Sequence, residues 1–298
     1  MTNKITQNFF KFFIRKRNED VFFLPFFRIS IGLFSFFHFL FLWKDFYNLY
    51  RRNGLVEEGI MLAFKPKIIP NINQVTEFLF GWTHQSEKEM LMIIMVIYLA
   101  LCLCLTFGLL SRLSALLLLF LHLVIFKGAP LYSYGVDNLT SIALFYCFLF
   151  PVGAQYAIDQ KLFSKRQVNP SPYRKILQLH LSLIYISSGF VKLTGSDWRS
   201  GEAIWQSVHL LKHNLLISID YDVMAIYPVV ALAISWSVVL IELFYPFLMF
   251  SKKFNKGGLI ILISMHLGIA ICLGLYYFSL LMILLSLAAF LNFDKSEK

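Results

Sequence analysis

The stretch from Leu91 to Phe126 reads LMIIMVIYLALCLCLTFGLLSRLSALLLLFLHLVIF and carries a single charged side chain, Arg112. A soluble core has no use for an apolar run of this length. It reads as two membrane spans, 90–107 and 109–127, with a tight turn at Gly108. The rest of the chain has the same character. Of its 298 residues, 58% are hydrophobic, 17% aromatic and only 15% charged, where an ordinary soluble domain is roughly a quarter charged. With 32 Phe and a mean hydropathy of +0.67, the chain has more apolar surface than one aqueous core of this size could hide. A soluble globule is excluded, and lipid must cover part of the surface.

Further apolar runs at 22–43, 138–157, 176–193, 226–250, 257–274 and 276–293 complete an all-α, polytopic helical integral membrane protein of about eight transmembrane helices. A second tight connection falls at Gly274. No internal repeat or linker interrupts the pattern, so 1–298 reads as one transmembrane domain with no separate soluble domain. The opening segment MTNKITQNFFKFFIRKR is basic and aromatic but lacks a small-residue cleavage site, so the first span is expected to be retained. In this layout 16 of the 27 Lys and Arg lie on the side of the two termini and 9 on the other, whereas 11 of the 17 acids lie opposite the termini. The positive-inside bias then makes both termini cytoplasmic and the loops 44–89 and 194–225 exterior. The expected location is a bacterial inner membrane. The net charge of +10 does not indicate nucleic acid, because the basic residues flank spans instead of clustering on a soluble surface. Cys102, Cys104, Cys147 and Cys272 sit inside apolar runs as small hydrophobes, with no disulfide framework or CxxC centre.

Ionisable residues at membrane depth are functional candidates, because each needs a partner there. Arg28 lies about one turn into the first span and either snorkels or pairs, with Glu242 of the sixth run as a structural partner. Lys192 ends the fifth run at its exterior side. It is either a snorkelling span-end lysine or, desolvated, a general base. His266 lies in the middle of LISMHLGIAICLG, where an imidazole packs against a polar group or holds a cofactor. His38, His122 and His180 are also intramembrane; His84, His209 and His213 lie in or near exterior loops. His209 and His213 are four apart without a third ligand, and no HExxH or acidic cluster occurs, so no metal site is expected. Ser187-Ser188-Gly189 admits a close helix or a flat lipid-soluble ring just below Lys192, and Tyr185 lies one turn below Gly189. Nothing supports nucleotide binding or acyl-serine chemistry: GxGxxG, P-loop, GxSxG and SxxK are all absent. No pair of broken spans repeats across the halves, as a transporter would require.

Five segments in order resemble the transmembrane domain of vitamin K-dependent gamma-carboxylase and the wider HTTM family. They are FFRISIGLFSFF with Arg28, FGLLSRLSALL with Arg112, YSYGVDNLTSIALFYCFLFPVGAQYAID, QLHLSLIYISSGFVKLTGSDWRSGEAI, and FYPFLMF followed by SMHLGIAICLGLYYFSLLMIL. The resemblance implies a membrane enzyme that uses a reduced isoprenoid quinone, a vitamin K or menaquinone-type hydroquinone. Lys192 matches the family's base and His266 the late-span histidine near the quinone pocket. Tyr185, Ser188, Gly189 and Trp198 are the further cofactor-side candidates, and Arg28, Trp198 and Gly201 fall on architectural positions. The activity implied is carboxylase- or epoxidase-like, a lyase or an oxygenase, acting on a secreted peptide, protein or small substrate at the exterior face. Where the carboxylase has a histidine before its fourth span, this chain has Asp137 and Asn138. It also ends at Lys298, without the carboxylase's large C-terminal part. Two other roles fit the same resemblance. One is a non-carboxylase maturation or export factor, similar to the short family member needed to produce a secreted sporulation-delaying toxin. The other is a quinone- or lipid-binding protein without turnover.

Overall fold

A computed structural model of the chain describes residues 22–163, 167–210 and 221–291. The basic N-terminal segment, Lys165, Arg166, Lys212, His213, Lys295 and Lys298 fall outside them. Among the described residues the secondary structure is helical apart from an isolated bridge between Asn53 and Glu57. The chain packs as two compact units, Phe22–Val168 and a second from Asn169 onward.

The first unit comprises α1 (Phe23–Leu40), α2 (Trp43–Tyr50), α3 (Glu58–Phe64), α4 (Ile72–Phe80), α5 (Glu87–Phe107), α6 (Ser111–His122), α7 (Gly135–Leu149) and the short α8 (Asp159–Leu162). Helix α6 runs on as a wider π turn over Leu123–Lys127. Helix α1 packs on α5, and α6 packs between α5 and α7. The ends of α5 follow directly from sequence. Ser86 and Glu89 form a reciprocal capping box at its start, and Gly108, at φ +72°, closes it in a left-handed conformation that a side chain would strain. The start of α6 has no cap of its own, because Leu110 occupies that position. Asp159 supplies one from a distance: its carboxylate accepts from the Leu110 N–H at 2.6 Å, the Ser111 N–H at 2.8 Å and the Ser111 hydroxyl at 2.6 Å.

Arg28 is 1% exposed, and its guanidinium donates to the carbonyls of Val152 (2.9 Å), Gln155 (3.2 Å) and Tyr156 (2.6 Å). Arg28 and Glu242, offered above as a structural pair, each have partners inside their own unit. The same feature explains why the helix read over 138–157 ends at Leu149. Beyond Phe150 the chain turns at Pro151 into a 3-10 segment, Val152–Ala154, and the carbonyls this leaves unpaired are taken by Arg28. The stretch 44–89, read as a loop, folds into α2, α3 and α4, with an Asn71/Gln74 capping box starting α4.

The second unit comprises α9 (Ser171–Thr194), α10 (Ser196–Ser200), α11 (Glu202–Leu210), α12 (Val223–Ile226), α13 (Pro228–Leu243), α14 (Tyr245–Phe250), α15 (Asn255–Leu273) and α16 (Tyr276–Phe290). The run read as one span over 226–250 is thus two helices. The break falls at Phe244, where Pro246 in the first turn of α14 has no N–H to continue the ladder. Helix α9 packs on α13 and α16, and α15 and α16 form a hairpin at Gly274, φ +67°. Arg174 and Gln178 donate to the last carbonyls of α16, at Ala289 and Leu291, tying its end to the base of α9.

Among the described residues four helices, α1, α5, α9 and α15, are long and apolar enough to cross a bilayer, and α7, α13 and α16 are shorter apolar helices. Large side chains such as Phe107, Leu183, Phe190, Val229 and Ile260 are exposed along these helices, and Leu113 and Phe120 along α6, where lipid rather than water can cover them. The chain is a helical membrane domain. Helix length alone does not establish the count of eight, because the breaks shorten several of the runs.

Candidate functional site

The second unit gathers the sequence candidates onto one face of α9. Tyr185, Ser188, Gly189 and Lys192 follow at intervals of three, one and three residues, which places them along one side of a helix. Opposite this face runs the end of α13. Gly189 is what lets it come close: a Cβ there would lie 3.0 Å from the Leu243 nitrogen and 3.1 Å from the Glu242 Cβ. The small-residue stretch therefore receives a helix at Gly189, and the result is to bring Glu242 beside Lys192.

Lys192 Nζ donates to both carboxylate oxygens of Glu242, at 2.7 and 2.6 Å, and to the Ser188 hydroxyl oxygen at 2.6 Å. The side chains are 17% and 8% exposed, so the lysine is turned inward onto a carboxylate rather than outward to head groups. The ring of Trp198, on α10, lies with its centroid 5.0 Å from the same ammonium, within cation–π range. The Trp198 carbonyl accepts from the Ser235 hydroxyl at 2.5 Å, which fixes α10 to α13 and holds the indole over the pair. The amine thus has a carboxylate, a hydroxyl and an aromatic face around it, each on a rigid element.

Further along α9, the Tyr185 hydroxyl is 2.6 Å from His266 Nε2 on α15, and the Tyr185 ring stacks on Tyr245 with centroids 4.2 Å apart. His266 is 2% exposed, and its Nδ1 is buried without a hydrogen-bond partner among the described residues, as is the Ser279 hydroxyl. In the tautomer where the phenol donates to Nε2, the ring proton sits on Nδ1. The two dyads, Lys192–Glu242 and Tyr185–His266, lie within electrostatic range of each other.

Of the remaining candidates, Arg28, Arg112, Asp137, Asn138 and His122 lie in the first unit. Arg28 holds the turn after α7, and Arg112 is exposed at the start of α6. Asp137 is buried; its carboxylate accepts from the Tyr134 N–H at 2.9 Å in the first turn of α7, while Asn138 is exposed. His122 bridges the Tyr98 hydroxyl at 2.9 Å and the Asp137 carbonyl at 3.0 Å, which uses both its ring nitrogens. His209 contacts the Trp205 carbonyl at 2.7 Å. Sequence reading offered Arg28 as a structural partner for Glu242 and overlooked Tyr245 and Ser279. The signal for Glu242 was present, since Lys192 was the other intramembrane charge of opposite sign still without a partner.

The HTTM domain matches residues 61–294 of the chain. No curated protein and no solved structure matches it.

Proposed function

The chain belongs to the HTTM family, and on that premise we propose that it is a membrane-embedded enzyme in which Lys192 takes a proton from a vitamin K or menaquinone-type hydroquinone. The observation that carries this reading is the inward-turned Lys192–Glu242 pair. An ammonium is not a base, but a buried lysine–carboxylate pair has a second form of the same net charge. The proton moves to Glu242 and leaves a neutral amine. No charge has to enter the membrane for that exchange, and Glu242 becomes the proton's holding place. Ser188 keeps the amine in position in both forms, and Trp198 favours the charged one. An arginine could not do this, because a guanidinium does not give up its proton at usable pH. When bound, a hydroquinone supplies two phenolic O–H groups and a pair of electrons. Lys192 would hold one of its oxygens and His266 the other, with Tyr185 fixing the imidazole. In this reading the substrate is an exported peptide or protein, or a small molecule, reaching the site from the exterior.

The test uses the full chain, purified in detergent, incubated with menaquinol, washed, extracted and measured by mass spectrometry. Near-stoichiometric retention is expected for the wild type and a clear loss for Lys192→Ala and His266→Ala. With dioxygen supplied as the electron acceptor, Lys192→Arg should retain the ligand yet consume the added hydroquinone no faster than a protein-free control, read by liquid chromatography. Lipid alone in every sample would overturn the reading and bring forward a maturation or export role for a secreted peptide.

A further inference from the structure

The first unit contains a cavity of about 360 Å³ where α6 begins, walled by Ser111, Gly153, Asp159, Gln160 and Phe163, with Arg112 beside them. We propose that it seats the phosphate of an anionic phospholipid, with Arg112 as the counter-ion. A census of the polar groups in the wall singles out one donor. Both oxygens of Asp159 are taken by the Leu110 and Ser111 donors, and Gln160 Nε2 donates to the Ala154 carbonyl. Pro151, also in the wall, has no N–H to offer. Arg112 is exposed and has no hydrogen-bond or ion-pair partner among the described residues, so its fork of N–H groups is the strong donor left for a ligand. The nearby Asp159 carboxylate does not cancel it. That charge faces the first N–H groups of α6, where the helix end is itself partly positive. Lys161, exposed on α8, adds a second cation of the same sign.

The surroundings select a lipid over a free anion. The cavity lies at the end of α5, a helix long enough to span a bilayer, and therefore near head-group depth. Arg112 also heads a stripe of exposed apolar side chains on α6, Leu113, Leu116, Leu117 and Phe120, at helical spacing. Phe163, in the cavity wall, is exposed. A phosphate at Arg112 would let two acyl chains run along that stripe, so one molecule satisfies both the cation and the apolar face. Basic pockets at the membrane-proximal ends of spans recognise head groups in this way.

Native mass spectrometry of the purified full chain tests this, using dioleoyl phosphatidylglycerol, dioleoyl phosphatidylcholine and inorganic phosphate as probes. The wild type should retain the anionic lipid over the zwitterionic one by about fivefold, the effect of one cation near a membrane surface. In Arg112→Gln the preference should disappear, and in Arg112→Lys part of it should remain. Millimolar phosphate should not displace the lipid. An unchanged preference in Arg112→Gln overturns the proposal. So does displacement by phosphate alone, which would assign a free-anion site. The wild-type comparison decides even if Arg112→Gln fails to fold, because equal retention of the two lipids would dismiss the seat.

Discussion

Glu242 and Lys192 are fifty residues apart in the chain, and each is costly in the membrane without the other. Removing one partner of a buried pair leaves an uncompensated charge, worth roughly 3–5 kcal/mol, whereas replacing both by apolar groups is often neutral or stabilising. Glu242→Ala is therefore expected to lower the unfolding midpoint of the detergent-solubilised protein more than the double variant Glu242→Ala/Lys192→Ala does. If the two changes simply added, the charges would be independent of each other and the pair would have no energetic meaning. The candidate residues at this scale were legible by type, because any ionisable residue inside an apolar run stands out. Their pairing was not. Arg28 and Lys192 were both available to Glu242, and only the packing of α9 against α13 and the carbonyls after α7 decide between them.

At the scale of the element, the site depends on how closely α13 approaches α9. A methyl group at position 189 would sit 3.0 Å from the backbone nitrogen of Leu243, and backbone cannot swing aside as a flexible side chain can. Gly189→Ala should cost about 1–3 kcal/mol in unfolding measurements through overpacking. It should also reduce menaquinol retention, since it pushes Glu242 away from the amine. Unchanged retention in a destabilised protein would confine Gly189 to packing. Helix ends divide by how local their causes are. The boxes Ser86/Glu89 and Asn71/Gln74 are written in four consecutive residues, and the stop at Gly108 in one. The break after α13 was signalled by Pro246. By contrast, the start of α6 relies on Asp159, nearly fifty positions away, and no local pattern announces such a cap. The short helices α2 to α4 escaped because each has too few turns to show a clear period.

For the whole molecule, composition alone was enough to require lipid, because apolar surface on this scale has no other solvent. Continuous apolar runs proved a weaker guide to span length. Backbone irregularity inside the runs at 138–157 and 226–250 is invisible to hydropathy when side chains from elsewhere, or a proline, accommodate it. The orientation inferred from Lys and Arg placement can be checked by labelling with a membrane-impermeant maleimide. His84→Cys should react in intact cells, and Lys252→Cys only after permeabilisation; the reverse pattern would invert the topology. The Arg28 clasp also bears on how the chain is made. Its first carbonyl acceptor, Val152, lies 124 residues downstream, so at roughly 5–20 residues per second the ribosome delivers it about 6–25 s after the arginine. During that interval the first span carries a guanidinium whose eventual acceptors have not been synthesised. Newborn α1 must then linger in a sheltered place, at the insertion machinery or near the head groups, until the turn after α7 emerges. Its final seating is thus a late event in biogenesis, although it precedes every other described helix in the chain.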